Sequence, residues 1–144
     1  HFKNRALGVV ALDEEDNIVF VKQSRYALDA YTYEIPEGGG PMDEDPLDAI
    51  KRELEEEAGL CARNWQPILT MHTSNSVCDE IAYIYLATDL YPGEQNLEDT
   101  EDIEVLKFSM ERALVMIDTG EITDSLTIAG ILKVALMNTR AENK

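Results

Sequence analysis

Residues 38–60 constrain this chain more than any other stretch. Gly38-Gly39-Gly40-Pro41 is followed closely by Asp45-Pro46-Leu47-Asp48, and then by Arg52-Glu53-Leu54-Glu55-Glu56-Glu57-Ala58-Gly59-Leu60. The glycines read as a turn whose bare backbone can approach a ligand closely. Asp45 is a good N-cap, Pro46 suits the first helical position, and Asp48 adds a carboxylate to the first turn. Gly59 falls where a left-handed C-cap is wanted. Between the caps, Leu47, Ile50, Leu54 and Ala58 recur at helical spacing and form one apolar stripe. At about 100° per residue, Glu53, Glu56 and Glu57 share a sector beside that stripe. Like charges at i, i+3 and i+4 repel, so such a helix loses stability unless a cation is near. Hard oxygen ligands in this arrangement suit Mg²⁺ or Mn²⁺.

A glutamate-rich helix face is ordinarily solvated surface. Asp48 with Arg52, and Lys51 with Glu55, read that way, as ordinary i,i+4 pairs. The glycine turn directly before the helix is what makes Glu53, Glu56 and Glu57 a candidate metal site. Composition and spacing carry the reading no further.

The same segment resembles the Nudix box: Gly, five residues, Glu, seven residues, Arg-Glu, an aliphatic, any residue, Glu-Glu, any residue, Gly, an aliphatic. Gly38, Glu44, Arg52, Glu53, Leu54, Glu56, Glu57, Gly59 and Leu60 fill every fixed position. The likeness runs beyond the box. Gln23-Ser24-Arg25-Tyr26 followed by Tyr33-Glu34-Ile35-Pro36-Glu37-Gly38 resembles the lead-in of ADP-ribose pyrophosphatase-like members. So does the ending Gly120-Glu121-Ile122-Thr123-Asp124-Ser125-Leu126-Thr127. Where those enzymes often carry a proline in a Ser-Pro-Gly-like loop, this chain has Thr73-Ser74-Asn75-Ser76-Val77. Asp79-Glu80 nevertheless resembles the residues just after that loop in those enzymes.

The resemblance implies an α/β Nudix fold, an α/β/α sandwich with a mixed β-sheet. It implies hydrolysis of the diphosphate linkage in a nucleoside diphosphate derivative, with ADP-ribose or a similar nucleotide sugar favoured. GDP-mannose and damaged nucleotides stay open as substrates. A non-catalytic binding module is the reading from another class, but such a module is expected to lose box carboxylates that this chain keeps. Mg²⁺, with Mn²⁺ as a substitute, is the implied cofactor, held by Glu53, Glu56, Glu57 and the backbone carbonyl of Glu37. Many relatives have alanine in place of Glu37. Arg52 is expected to orient Glu53 and Glu56. A general base is expected from a loop outside the box, with Glu98, Asp99 and Glu101 as candidates. On the substrate side stand Arg25 for a phosphate or ribose, Tyr31 or Tyr33 for stacking on a base, Glu34 in the lead-in, and Glu80 for metal or substrate. Solvated surface is the competing reading for the loop carboxylates and Glu80, and a packed or rim position for the tyrosines.

With 144 residues, the chain is expected to form one domain spanning 1–144. A formal charge of −17 argues against nucleic acid or an anionic membrane as partner. It also poses a problem for a phosphate-bearing substrate that divalent cations at an acidic site would solve. No apolar run approaches the roughly 18 residues of a membrane span, and no signal-peptide pattern opens the chain. A cytoplasmic protein is expected, with a homodimer left open. A start at His1 reads as a piece trimmed at its N-terminal end. With no secretory signal, Cys61 and Cys78 are not expected to pair.

Strands are expected at Arg5–Asp13, Ile18–Gln23, Tyr31–Ile35, Trp65–Met71, Ile81–Leu86 and Ile103–Phe108, with a loop over Tyr91–Asp102. Ser109 should cap a helix ending near Gly120. Thr123 or Asp124 should cap a last helix carrying Leu126, Ala129, Leu132 and Leu136.

Overall fold

The computed structural model describes residues 4–25, 30–74, 79–97 and 102–143. The element order is β1 (Asn4–Ala11), β2 (Ile18–Arg25), β3 (Ala30–Glu34), β4 (Glu37–Pro41), α1 (Pro46–Ala58), β5 (Leu60–His72), β6 (Ile81–Pro92), β7 (Ile103–Phe108), α2 (Met110–Thr119) and α3 (Ser125–Glu142). The strands form two sheets, one in the order β4-β1-β6-β5 and the other β3-β2-β7. The first is mixed: β1 runs parallel to β6 and antiparallel to β4, and β5 is antiparallel to β6. The second is antiparallel throughout.

Strand alternation explains why both faces are covered. Leu7, Val9 and Ala11 of β1 join Tyr85 and Ala87 of β6 against Ala49, Ile50 and Leu54 of α1. The intervening Val10, with Ala82 and Ile84, faces Ala113 and Met116 of α2 and Ile131 and Val134 of α3. One helix on one face and two on the other make the expected α/β/α sandwich. The strand over Ile81–Leu86 alternates between these two clusters, and both of its faces are packed.

Three expectations need correcting. The Gly38-Gly39-Gly40-Pro41 stretch is not a turn but the strand β4, paired with β1 from Gly8↔Glu37 to Asn4↔Pro41. Positive φ occurs at Gly59 and Gly120 among the described glycines, so these three lie in extended backbone that needs no special freedom. The β5–β6 ladder is also longer than the hydrophobic runs suggested. It pairs Leu60 with Pro92 at one end and His72 with Ile81 at the other, with an irregularity between Pro67 and Leu69. Tyr91 and Pro92 therefore close β6 rather than open the loop.

The third correction concerns α3. Asp124 caps it, as one of the two expected residues, accepting from the Thr127 amide at 3.0 Å. Its buried face, however, is Leu126, Thr127, Gly130, Ile131 and Val134, while Leu132 and Leu136 are exposed at 48% and 44%. Gly130 sets this rotation. A Cβ there would stand 2.9 Å from Val10 Cγ2 and 3.3 Å from Ile84 Cγ2, so the helix approaches the sheet where it has no side chain. Gly130→Val should therefore overpack the interface and cost on the order of 1–3 kcal/mol in urea unfolding. Leu132→Ala should stay within about 0.5 kcal/mol of wild type. Equal losses at both positions would contradict the packing described.

Candidate active site

The caps of α1 decide where its carboxylates stand. Asp45 Oδ1 accepts from the Leu47 amide at 2.8 Å, Pro46 occupies the first turn, and Gly59 at φ 68° turns the chain straight into β5. Thus fixed, the helix directs Glu53, Glu56 and Glu57 into one cavity of about 540 Å³, whose wall also includes Glu37 and Glu80. Gly38 lines the same cavity and explains the bare strand. A Cβ on Gly38 would lie 2.5 Å from Glu53 Cδ, so the Glu53 carboxyl rests directly on the backbone of β4. Gly40 is similarly required, since its Cβ would meet Leu7 Cδ1 at 2.8 Å. Gly39 has only the Arg5 carbonyl oxygen nearby, at 3.8 Å.

Two of the three carboxylates also have a fixed neighbour. The Glu37 amide donates to Glu57 Oε1 at 3.2 Å, and Glu57 is buried to 7% exposure. Arg52 Nη2 lies 3.2 Å from Glu44 Oε1 and 3.9 Å from Glu53 Oε1. Its ion-pair partners are therefore two box glutamates rather than Asp48.

The end of α1 bears a cost that side-chain spacing alone does not reveal. Its last turn holds Glu55, Glu56 and Glu57 with no basic residue, although the C-terminal end of a helix is the negative end of its dipole. The segment after β6 supplies the missing donors. Gln95 Nε2 donates to the Glu57 carbonyl at 2.8 Å, the Asn96 amide to the Glu56 carbonyl at 2.9 Å, and the Gly93 amide to the Gly59 carbonyl at 2.9 Å. Glu55 belongs to this junction as well. It accepts from the Glu94 amide at 3.2 Å and is not the plain surface partner of Lys51 that its spacing suggested.

A second acidic group meets the first at Glu37, the residue that opens β4. Carboxylate oxygens of Glu34, Glu37 and Asp124 fall within 4.8 Å of one another. Thr127 is tied into it, its Oγ1 standing 3.1 Å from Glu37 Oε2 and 2.7 Å from Asp124 Oδ2. Burial, then the hydrogen bond and charge of Asp124, then the charge of Glu34, push the Glu37 carboxyl up to about 10. In the sequence Asp124 and Thr127 both belong to the ending that resembles the family, but Asp124 carries only the signal of a helix cap there, and Thr127 carries no signal of a contact with Glu37. Their distance of some ninety residues from Glu37 leaves no local signal.

The other candidate residues divide between cleft, core and surface. Glu80 lines the cavity and accepts from Thr73 Oγ1 at 2.9 Å. Glu34 is buried at 3% exposure, with the Thr32 hydroxyl on its Oε2 at 2.6 Å. Tyr33 sits edge-on to Phe108 at 5.9 Å and packs against the cluster shared with α2 and α3. It pairs with Lys22, whereas the neighbouring Gln23 is the β2 residue that lines the cavity. Alternation therefore turns Tyr33 to the opposite face of the sheet. Tyr31 is exposed beside Lys22, whose Nζ stands 4.6 Å from the ring centroid. Glu98, Asp99 and Glu101 lie outside the described residues, as does the side chain of Arg25.

An α/β/α sandwich with a cluster of carboxylates aimed from one capped helix into a single cleft defines a class of protein whose site could hold a metal ion. The family described as the NUDIX domain matches residues 2–127, and the chain belongs to it. It is 36% identical over 128 residues to an ADP-ribose pyrophosphatase of Bacillus subtilis (strain 168), covering 88% of this chain and 69% of that one. A methanol dehydrogenase activator of Bacillus methanolicus is 33% identical over the same shares, 88% and 69%. A GDP-mannose pyrophosphatase of Enterobacter sp. (strain 638) is 32% identical over 77% of this chain and 62% of that one. The chain thus spans about two thirds of the length of these relatives. A crystal structure of an ADP compounds hydrolase matches with a TM-score of 0.87 at 16% identity, covering 97% of this chain and 75% of that one, which establishes the fold.

The cleft makes two expectations testable. Gly38→Ala should displace the Glu53 carboxyl and raise the Mn²⁺ concentration needed to stabilise the protein in thermal melts by at least about tenfold, judged from the scale of losing a ligand-orienting contact. Gly39→Ala should leave that concentration unchanged. The second concerns pH in chelator. Glu37 is protonated in the folded protein up to about 10 but only up to about 4.5 when unfolded. The folded state therefore binds the extra proton between those values, and stability contributed by Glu37 falls as pH rises through that window. Glu37→Gln should flatten this decline, so its melting temperature should gain on wild type from pH 6 to pH 9. A constant difference across that range would exclude a buried neutral Glu37.

Proposed function

We propose that the chain is a divalent-metal-dependent pyrophosphohydrolase. It cleaves the diphosphate linkage of ADP-ribose or a similar nucleotide sugar, giving a nucleoside monophosphate and a sugar phosphate. The reading takes residues 1–144 as one catalytic domain with its box at 38–60. One observation carries it: Glu37, Glu53, Glu56, Glu57 and Glu80 line the cavity, and its described lining contains no lysine or arginine. A diphosphate can occupy such a cleft only with cations between it and the wall. The names of relatives support the substrate class, since two ADP-ribose pyrophosphatases, from Bacillus subtilis and Mycobacterium tuberculosis, are 36% and 34% identical to this chain.

The donor set fits Mg²⁺, with Mn²⁺ as a substitute: hard carboxylate oxygens from Glu53, Glu56 and Glu57, to which the family resemblance adds the Glu37 carbonyl. Such ions, when bound, neutralise the diphosphate and lower the pKa of water. The chain's own part is positioning. Gly38 seats Glu53, the Glu37 amide holds Glu57, and Arg52 orients Glu53. The attacking water would give its proton to a carboxylate of the acidic loop, with Glu98, Asp99 and Glu101 as candidates, and Arg25 would meet a substrate phosphate or ribose.

A substrate panel with Mg²⁺ tests this. ADP-ribose should yield AMP and ribose 5-phosphate by chromatography, activity should vanish in chelator, and nucleoside triphosphates should react poorly. GDP-mannose belongs in the panel because of the relative that carries its name. In the same assay Glu57→Gln should lower kcat by at least about a hundredfold, the scale of losing one strong electrostatic stabiliser. Asp48→Asn, exposed near the start of α1, should cost little. A preference for a triphosphate over every diphosphate-linked compound would refute the substrate class, and full activity in chelator would refute the metal.

A further inference from the structure

We propose that Thr127, far from the box in sequence, is a positioning residue for the acidic site. Its buried hydroxyl fixes the Ile35–Glu37 segment so that the Glu37 amide can hold Glu57. The inference rests on the metal-binding reading above.

Thr127 lies in the first turn of α3 and is fully buried. Its backbone amide already serves the helix by donating to Asp124 Oδ2 at 3.0 Å. The hydroxyl is not needed for that cap, and a valine would keep both the amide and the shape. What the hydroxyl adds is a tie across the molecule. It accepts from the Ile35 amide at 3.0 Å, a contact spanning 92 residues of sequence. A hydroxyl has one hydrogen to give. That hydrogen goes to Asp124 Oδ2 at 2.7 Å or to Glu37 Oε2 at 3.1 Å.

The segment held in this way is the crossing between the two sheets. Ile35 comes directly after β3 of the three-stranded sheet, and Glu37 opens β4 of the four-stranded one. Ile35 is itself fully buried, so its amide has no water to turn to if the hydroxyl is lost. Two residues on, the Glu37 amide carries Glu57 Oε1 at 3.2 Å. Gly38 is next, with Glu53 resting on it. A shift at Ile35 is therefore passed to two of the three box carboxylates through three consecutive residues of backbone. Groups that orient ligands in this indirect way typically change metal affinity by about 10- to 100-fold when removed.

Two substitutions separate the hydroxyl from the packing. Thr127→Val removes it at constant shape, and Thr127→Ser keeps it with less bulk. Mn²⁺ binding is read by the loss of the free-ion electron paramagnetic resonance signal, and substrate kinetics are read at saturating metal. Thr127→Val should bind Mn²⁺ at least about tenfold more weakly, with KM for ADP-ribose within about twofold of wild type, and Thr127→Ser should stay within about threefold in Mn²⁺ affinity. Unchanged Mn²⁺ affinity in Thr127→Val would overturn the proposal. So would an equal loss in both variants, which would mark a purely structural role. If Thr127→Val does not fold, amide exchange on wild type decides. Mg²⁺ should slow exchange at Ile35, Glu37 and Thr127 together, and protection at Glu37 without any at Thr127 would count against the tie. Wild type that binds no Mn²⁺ would overturn the metal reading itself, and this inference with it.

Discussion

Four glutamates crowd the C-terminal half of α1, where the helix dipole already disfavours negative charge, and much of the surrounding structure answers that arrangement. Donors converge on the last turn from two directions. The Glu37 amide comes from β4 to the Glu57 side chain, and Gln95 and Asn96 come from the segment after β6 to the carbonyls of Glu57 and Glu56. Each is a neutral group that satisfies an orphan or charged acceptor without adding a competing cation. A lysine in the same place would pair with the carboxylates and occupy the position proposed for a metal.

The same logic accounts for the architecture around the helix. β4 must come close enough to offer backbone to Glu53, and the bare positions Gly38 and Gly40 allow it. Once stripped of side chains, β4 has little apolar surface to hold it, and its place is set by the ladder to β1. β1 in turn is central, packed by α1 on one face and by α3 on the other. The acidic cleft is thus supported from behind by α3 at Gly130 and Thr127, two positions where that helix meets the sheet-side residues directly.

What could be read in the chain was what is local. The caps Asp45, Gly59, Ser109 and Asp124 act within a few residues, so their side chains announce them, and each stands where its type suggested. The shared face of Glu53, Glu56 and Glu57 comes from helical geometry alone. The glycine strand looks like a turn because glycine's freedom is the local signal, whereas its role here is to leave room for a carboxyl fifteen residues away. Leu132 and Leu136 mislead for the same reason: helical spacing gives a stripe, but the close approach at Gly130 chose a different face. Tyr33 is drawn toward substrate by its neighbours in sequence, although strand alternation sends it to the far side of the sheet from Gln23.

Glu37 shows how far the site depends on non-local compensation. Only its backbone is asked to serve the box, yet its carboxyl comes with it into a partly buried space beside Asp124 and Glu34. Two ionised carboxylates cannot share such a space cheaply, and the raised pKa of Glu37 reflects a proton kept between them. The Thr127 hydroxyl then meets a pair that carries one negative charge rather than two. The acidic group around Glu37 is thereby neutralised in part by protons and protein donors, while Glu53, Glu56 and Glu57 line the adjoining cleft. Glu37 thus joins one set of carboxylates that the chain satisfies internally to another, Glu53, Glu56 and Glu57, whose repulsion a bound cation would relieve.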